Sequence, residues 1–442
     1  MQYPNFSYRL HSQLNPHFLK LQDKEILVIR MLSALTLWIG MTVTALAADP
    51  ILIGLNYPRT GHYKEEGLAQ MRGALLAVDE INAQGGVLGR EIKLLSRDTA
   101  SRPQTAIRNV ESLVAEGATM LFGSVSSAVA VAASERARQL NTVYFATIGY
   151  ANDVTGSKGH RYVFRESSNA TMTGRALGQY LSKDFPDRTY FYITADYSWG
   201  HSSEKSLREN TNTTDLNQHQ GVLLPFPTAK QSDYTAALQQ AKDSKADIVA
   251  LVLYGHDLVR AMRTAEKMDL THAVQIIAPN LTQSVIEQAG PGLMAGVIGT
   301  EHWIWRAAEL ENSKTGLAFV ENFNNAYDMY PSSAAASGYT VVKQWADAVK
   351  RSNSVSSDAV IKALEGHDYT LLKDAAQWRA FDHQNVQTIY VVQANQRKFV
   401  MEHPSRQDYF KLLERFPASK TVLTKEEWQA ERAQAGKPRQ LQ

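Results

Sequence analysis

The stretch from Ile51 to Ala106 constrains the fold of this chain more than any other. Ile51-Leu52-Ile53-Gly54-Leu55 is a short apolar run, as expected of a strand buried on both faces. Pro58 and Gly61 break it into a loop. Leu68, Met71, Leu75, Val78 and Ile81 then recur at spacings of three and four, which puts them on one helical face. Gly85-Gly86 stops that helix, because glycine takes the left-handed conformation at little cost. Ile92 and Leu94 open a second strand that ends at Asp98, and Ser101 and Pro103 suit the cap and first turn of another helix.

The alternation continues. Strands are predicted at Met120–Phe122, Val143–Phe145 and Tyr162–Arg165, with a helix over Ala128–Gln139. A second series follows, with helices near Met172–Lys183, Ser202–Asn210, Tyr234–Lys242 and Leu258–Met268. Its strands are Tyr190–Ile193, Val222–Leu224, Ile248–Leu253 and Gln275–Ala278. Strands alternating with helices of this length predict an α/β fold with parallel sheets covered on both faces. At 442 residues the chain is long enough for two such lobes. Two later helices are predicted, about Thr315–Tyr330 and Ala335–Arg351.

Composition removes several classes of function. The 46 Lys and Arg against 44 Asp and Glu leave no basic surplus for nucleic acid and no acidic surplus for storing cations. Cysteine is absent, so disulfides, thiolate metal sites and cysteine nucleophiles are excluded together, as is lipid anchoring through a mature N-terminal cysteine. Leu32–Ala47 is an apolar stretch preceded by Lys24 and Arg30 and closed by Ala45-Leu46-Ala47 before Ala48-Asp49. This is the pattern of a cleavable secretory signal over residues 1–47; the alternative is an uncleaved membrane anchor.

The wording of the first unit carries more than a fold. Asp79-Glu80-Ile81-Asn82-Ala83-Gln84-Gly85-Gly86-Val87-Leu88-Gly89, the strand ending in Asp98 and the Pro103 to Ala106 helix start stand in one order. That order resembles the opening of type I periplasmic solute-binding proteins, in particular the leucine/isoleucine/valine-binding class of ABC importers. The resemblance implies two Rossmann-like lobes with parallel sheets, joined by a multi-strand hinge. It places residues 48–166 and 297–378 in lobe 1 and residues 167–296 and 379–423 in lobe 2. Residues 424–442 then form a charged tail, read as a solvated helix or disordered.

In open α/β sheets ligands bind outside the carboxyl ends of strands. Four loops meet that rule. The first is Tyr57–Tyr63, with Tyr63 its ligand candidate. The second is Gly123–Ser127, where a helix start offers free amides beside the Ser126 and Ser127 hydroxyls. By composition Ser127 serves equally well as a helix cap; the resemblance implies that it holds a ligand carboxylate. The third, Ala146–Asn152, offers Thr147 and Tyr150, and the fourth, Thr194–Gly200, is similar to a family loop whose aromatic, here Trp199, covers the ligand. Tyr254 corresponds to a ligand-contacting tyrosine of the family. Asn280 stands where amino-acid-binding members place an acid for the ligand's α-ammonium, and a neutral amide is a weaker partner. Asp257 and Glu301 are the possible substitutes.

Catalytic signatures are missing: the chain has no G-x-S-x-G, H-E-x-x-H or Walker loop, and its 12 His are scattered without metal spacing. No catalytic residue, metal or cofactor is therefore expected. The resemblance implies a non-enzymatic, monomeric periplasmic binding component. It captures a hydrophobic amino acid, an amide or an aromatic acid and delivers it to an ABC permease in the inner membrane, with no role for nucleic acid. The alternatives are a sensory protein presenting its ligand to a membrane receptor, and a hydrolase on the same fold.

Overall fold

The computed structural model describes residues 48–442, so the signal-peptide reading of residues 1–47 lies outside the described residues. Five strands build the first sheet: β1 (Ile51–Tyr57), β2 (Ile92–Asp98), β3 (Met120–Gly123), β4 (Val143–Ala146) and β5 (Val163–Arg165). Their order is β2-β1-β3-β4-β5 and every pair is parallel. The central strands are apolar on both faces because α1 (Lys64–Ala83), α2 (Pro103–Ala115) and α3 (Ser127–Gln139) cover them. Ile53 and Leu55 are fully buried, each contributing about 1.5–3 kcal/mol of transfer free energy. Gly86 stops α1 as expected, at φ 78° with its N–H on the Ile81 carbonyl at 2.9 Å.

Seven strands form the second sheet, in the order β15-β14-β10-β9-β8-β6-β7. β6 (Tyr190–Ala195), β7 (Gly221–Leu224), β8 (Ile248–Val252), β9 (Gln275–Asn280) and β10 (Ile298–Glu301) run parallel. α4 (Ala170–Asp184), α5 (Ser198–Thr211), α6 (Gln231–Ser244) and α7 (His256–Lys267) alternate with them. Two strands outside the predicted alternation complete the sheet: β14 (Ile389–Ala394) and β15 (Phe410–Phe416), both antiparallel. α8 (Lys314–Tyr327) and α9 (Ser333–Ser352) return to the first sheet. There α9 crosses α1 backbone to backbone. A Cβ on Gly73 would stand 2.0 Å from the Ala335 carbonyl oxygen, and one on Gly338 would stand 2.3 Å from that of Gln70. Small β11 (Asp368–Tyr369), β12 (Ala376–Trp378) and β13 (Asn385–Val386) make a third, antiparallel sheet. From it Trp378 packs on Phe145 and Phe164 of the first lobe, both at 5.7 Å between centroids.

Two expectations need correction. The return to the first lobe, expected at Gly296–Gly299, comes later, because β10 is held in the second sheet between β9 and β14. The tail is neither free nor fully solvated. α10 (Lys425–Gln434) starts with a Thr424/Glu427 capping box and buries Trp428 and Arg432. The Trp428 indole N–H donates to the Thr155 carbonyl at 2.9 Å, and Arg432 donates to the Gly156 and Gly159 carbonyls. Charge on one helical face had hidden two anchoring residues on the other. Among the described residues no helix is long and apolar enough to cross a membrane.

If the tail is part of the fold, Trp428→Ala removes a side chain only 1% exposed and should cost about 3–5 kcal/mol. Chemical denaturation checks this; an unchanged midpoint would mean the tail does not anchor.

Candidate ligand-binding cleft

The predicted loops meet between the lobes. On the first lobe, α1 begins just after Tyr63 and presents Glu66 and Gln70, four residues apart, on one face. Gln70 donates to the Ser124 carbonyl at 3.1 Å and accepts from the Thr147 hydroxyl at 3.0 Å. Ser124 is held left-handed at φ 68°, a costly conformation for a residue with a Cβ, and these two bonds to its neighbourhood help to fix it. Thr147 is thereby spent on bracing β3 and β4 loops against α1. Ser126 precedes α3 without making a side-chain cap bond. The Ser127 hydroxyl does not cap its helix either; it accepts from the Ala151 N–H at 3.0 Å and so fixes the loop that carries Tyr150.

On the second lobe, Trp199 lies in the first turn of α5, and its indole N–H donates to Asn280 Oδ1 at 3.2 Å. Asn280 is therefore occupied as an acceptor. Asp257 accepts from the Tyr234 hydroxyl. Glu301, at the end of β10, is buried, with its carboxylate 3.7 Å from His302 Nδ1.

Tyr254 is the centre of the aromatic cluster. Tyr63, Tyr150 and Trp199 approach its ring edge-on, at centroid distances of 5.6, 5.9 and 5.7 Å. The lobes are closed on each other: the Tyr63 and Tyr197 hydroxyls are 3.1 Å apart, and Glu66 accepts from the Ser284 and Thr282 hydroxyls. All eight residues singled out from the sequence are buried here. Five of them, Tyr63, Tyr150, Trp199, Tyr254 and Asn280, share one cluster, Ser127 and Thr147 support the loops beneath it, and Ser126 is buried without a side-chain cap bond. Sequence reasoning missed Glu66, Gln70 and His302. Glu66 follows exposed Lys64 and half-buried Glu65 in an ordinary acidic first turn, and nothing in that pattern signals burial.

Burial sets the electrostatics. It raises the Glu301 carboxyl well above the ordinary range, and the charge of Glu66 raises it further. Glu66 is raised by the same cause against its hydroxyl partners, and both carboxylates raise the Tyr254 phenol after burial and Tyr150. Glu166, where the chain leaves the first lobe, is raised to about 7 by burial, opposed by the Ser337 hydroxyl that donates to it. His302, 3.9 Å from Glu166, is lowered to about 3, again chiefly by burial. Among the described residues no cluster of acids and histidines is placed to hold a metal ion.

Residues 50–398 match the family model described as periplasmic binding protein. The chain belongs to that family. Among curated relatives of this periplasmic binding protein is Leu/Ile/Val-binding protein homolog 4 of Brucella melitensis, 25% identical over 76% of this chain and 82% of its own length. Homolog 8 of Brucella suis is 26% identical over 77% and 86%. Among solved structures, a periplasmic binding protein from Burkholderia mallei superposes with a TM-score of 0.76 at 22% identity, covering 86% of this chain and 98% of its own. These agree with the two-lobed type I fold and with the family resemblance of the opening block. The tail helix α10 lies beyond the matched residues.

Glu166 gives a pH prediction for this family member. Its folded pKa of about 7 stands above the ordinary 4.5, so folding takes up a proton between those values. The stability it contributes is full below pH 4.5 and lost as pH rises through 7. Urea midpoints should therefore fall more between pH 5 and pH 8 in the wild type than in Glu166→Gln. Equal falls would refute the assignment.

Proposed function

We propose that this protein is the periplasmic substrate-binding component of an ABC importer of the branched-chain or hydrophobic amino acid type. The observation that carries the reading is the cleft itself: buried aromatic and polar groups contributed by both lobes, on the fold of a solute-binding family. Only the closed state brings the two half-sites together, so a solute that touches both shifts the open–closed population towards closure. The leader, the absence of cysteine and the family together support a protein exported to the periplasm by a cleavable signal and not lipid-anchored. The same features suit a monomer that hands its solute to an inner-membrane permease.

Tyr63, Ser126, Ser127, Thr147, Tyr150, Trp199, Tyr254 and Asn280 form the site in this reading. Their roles differ. The rings and the Trp199–Asn280 pair face the solute, and the hydroxyls of Ser127 and Thr147 hold the loops in place. The reading is of a binder and not an enzyme, in keeping with the family match.

Calorimetry with leucine, phenylalanine, short amides and benzoates should find a solute that binds. Trp199→Ala should weaken it by tenfold or more, roughly 1.4 kcal/mol, with the folded circular dichroism spectrum retained. Unchanged affinity would move the site elsewhere. Mass spectrometry of the bound solute after hours should show it intact, and turnover would replace transport by catalysis.

A further inference from the structure

A second cavity shares no lining residue with the cleft. Its volume is about 660 Å³, within the usual size range of a small-molecule site. Ala380 and Phe381, between β12 and β13 of the hinge sheet, wall it on one side, and α10 with residues 438–441 on the other. Backbone bonds build that second wall. The Pro438 carbonyl accepts from Arg432 Nε at 2.6 Å, the Arg439 carbonyl from Gln429 Nε2 at 3.0 Å, and the Gln442 carbonyl from the Arg161 N–H at 3.0 Å. The segment is thus pinned through its carbonyls, and its side chains are left to line the cavity. Their charge is one-sided. Arg161, Lys425 and Arg439 line the cavity against a single carboxylate, Glu365, which already faces His383 Nε2 at 3.1 Å. Arg161 pairs with Asp358 at 2.5 Å, whereas among the described residues Lys425 and Arg439 have no carboxylate partner. Beside these cations the lining is apolar: Phe381 meets Trp428 edge-on at 5.4 Å, and Pro438 and Leu441 extend the surface.

We propose that this cavity is a second binding site, for a small aromatic carboxylate whose acid group meets Lys425 and Arg439 and whose ring packs against Phe381 and its apolar neighbours. The planar fork of Arg439 matches a carboxylate in two parallel bonds, and Lys425 adds a compact charge. An inorganic anion uses the cations and leaves the apolar surface wet. A neutral arene does the reverse, and an aromatic ammonium is repelled by the unpaired cations. Both acid-binding residues lie beyond residues 50–398, the part that matches the family model, so the site is particular to this chain's C-terminal segment. It stands independently of the reading of the cleft.

Titration calorimetry of the purified full chain with 2-naphthoate, against 2-naphthamide, 2-naphthylmethylammonium and inorganic phosphate, tests both parts of the site. The carboxylate should bind about tenfold tighter than each of the other three. Lys425→Gln and Arg439→Gln should each weaken it several-fold, and the double variant about tenfold or more. Trp199→Ala, in the cleft, should bind it like the wild type. Both substituted side chains are exposed, so the variants should fold, which thermal melts check; should one not fold, the other decides. Absence of binding at millimolar 2-naphthoate, or equal binding of the amide, the ammonium or phosphate, would overturn the ligand class. Unchanged affinity in the Gln variants, or loss in Trp199→Ala alone, would put the probe in the cleft and overturn the second site while leaving the cleft reading intact.

Discussion

One buried guanidinium holds the parts of this structure in register. Arg165 ends β5, has no exposed surface, and donates to four groups. It reaches the Gly149 carbonyl at 2.9 Å, the Ala151 carbonyl, the Thr155 hydroxyl at 2.7 Å and Gln384 Oε1 at 2.6 Å. Burial lowers it to about 10, which leaves it charged at neutral pH. A buried cation is tolerated only when its donors are matched, and the planar fork of arginine suits carbonyls arranged around it. Gly149 and Ala151 flank Tyr150, so the fork sets the height of that ring in the cleft. Gln384 belongs to a later crossing of the chain between lobes, so the same fork ties the site loop to the hinge.

The hinge is a mesh of such side chains more than a set of free strands. Gln384 Nε2 donates to the Ser167 carbonyl and Gln387 Nε2 to the Glu166 carbonyl, at 2.7 and 2.6 Å. The Arg165 N–H donates to the His383 carbonyl at 3.0 Å, and His383 stacks on Phe164 at 3.9 Å. Two crossing segments distant in sequence therefore run side by side.

The strands and helices were legible because burial on both faces leaves uninterrupted apolar runs such as Ile248–Val252, and because a glycine pair such as Gly85-Gly86 ends a helix where local chemistry dictates. The cleft loops were legible because βα order fixes where strand ends fall. β14 and β15 were not: a strand pair added to a sheet edge by an antiparallel hairpin leaves no alternation with helices to read. Glu66 and Glu301 escaped or stayed ambiguous because burial of a charge is decided by the opposite lobe, which sequence neighbours do not record. Asn280 was read as a departure from the acid of the amino-acid-binding members, yet its partner, Trp199, lies 81 residues away and only the fold could supply it.

The C-terminal helix has a mechanical meaning. Besides its hold on Thr155 and Gly156 in lobe 1, its Glu427 pairs at 2.7 Å with Arg175 on α4 of lobe 2, and Arg175 also donates to the Val422 carbonyl. The Arg161 N–H also donates to the Gln442 carbonyl at 3.0 Å. A strap fastened on both sides next to the hinge line lies near the rotation axis, where opening stretches it least. It resists sliding and twisting of one lobe over the other, whose lever arms are long at that point. Opening would thus be steered towards a simple clamshell path, with one degree of freedom favoured over the others.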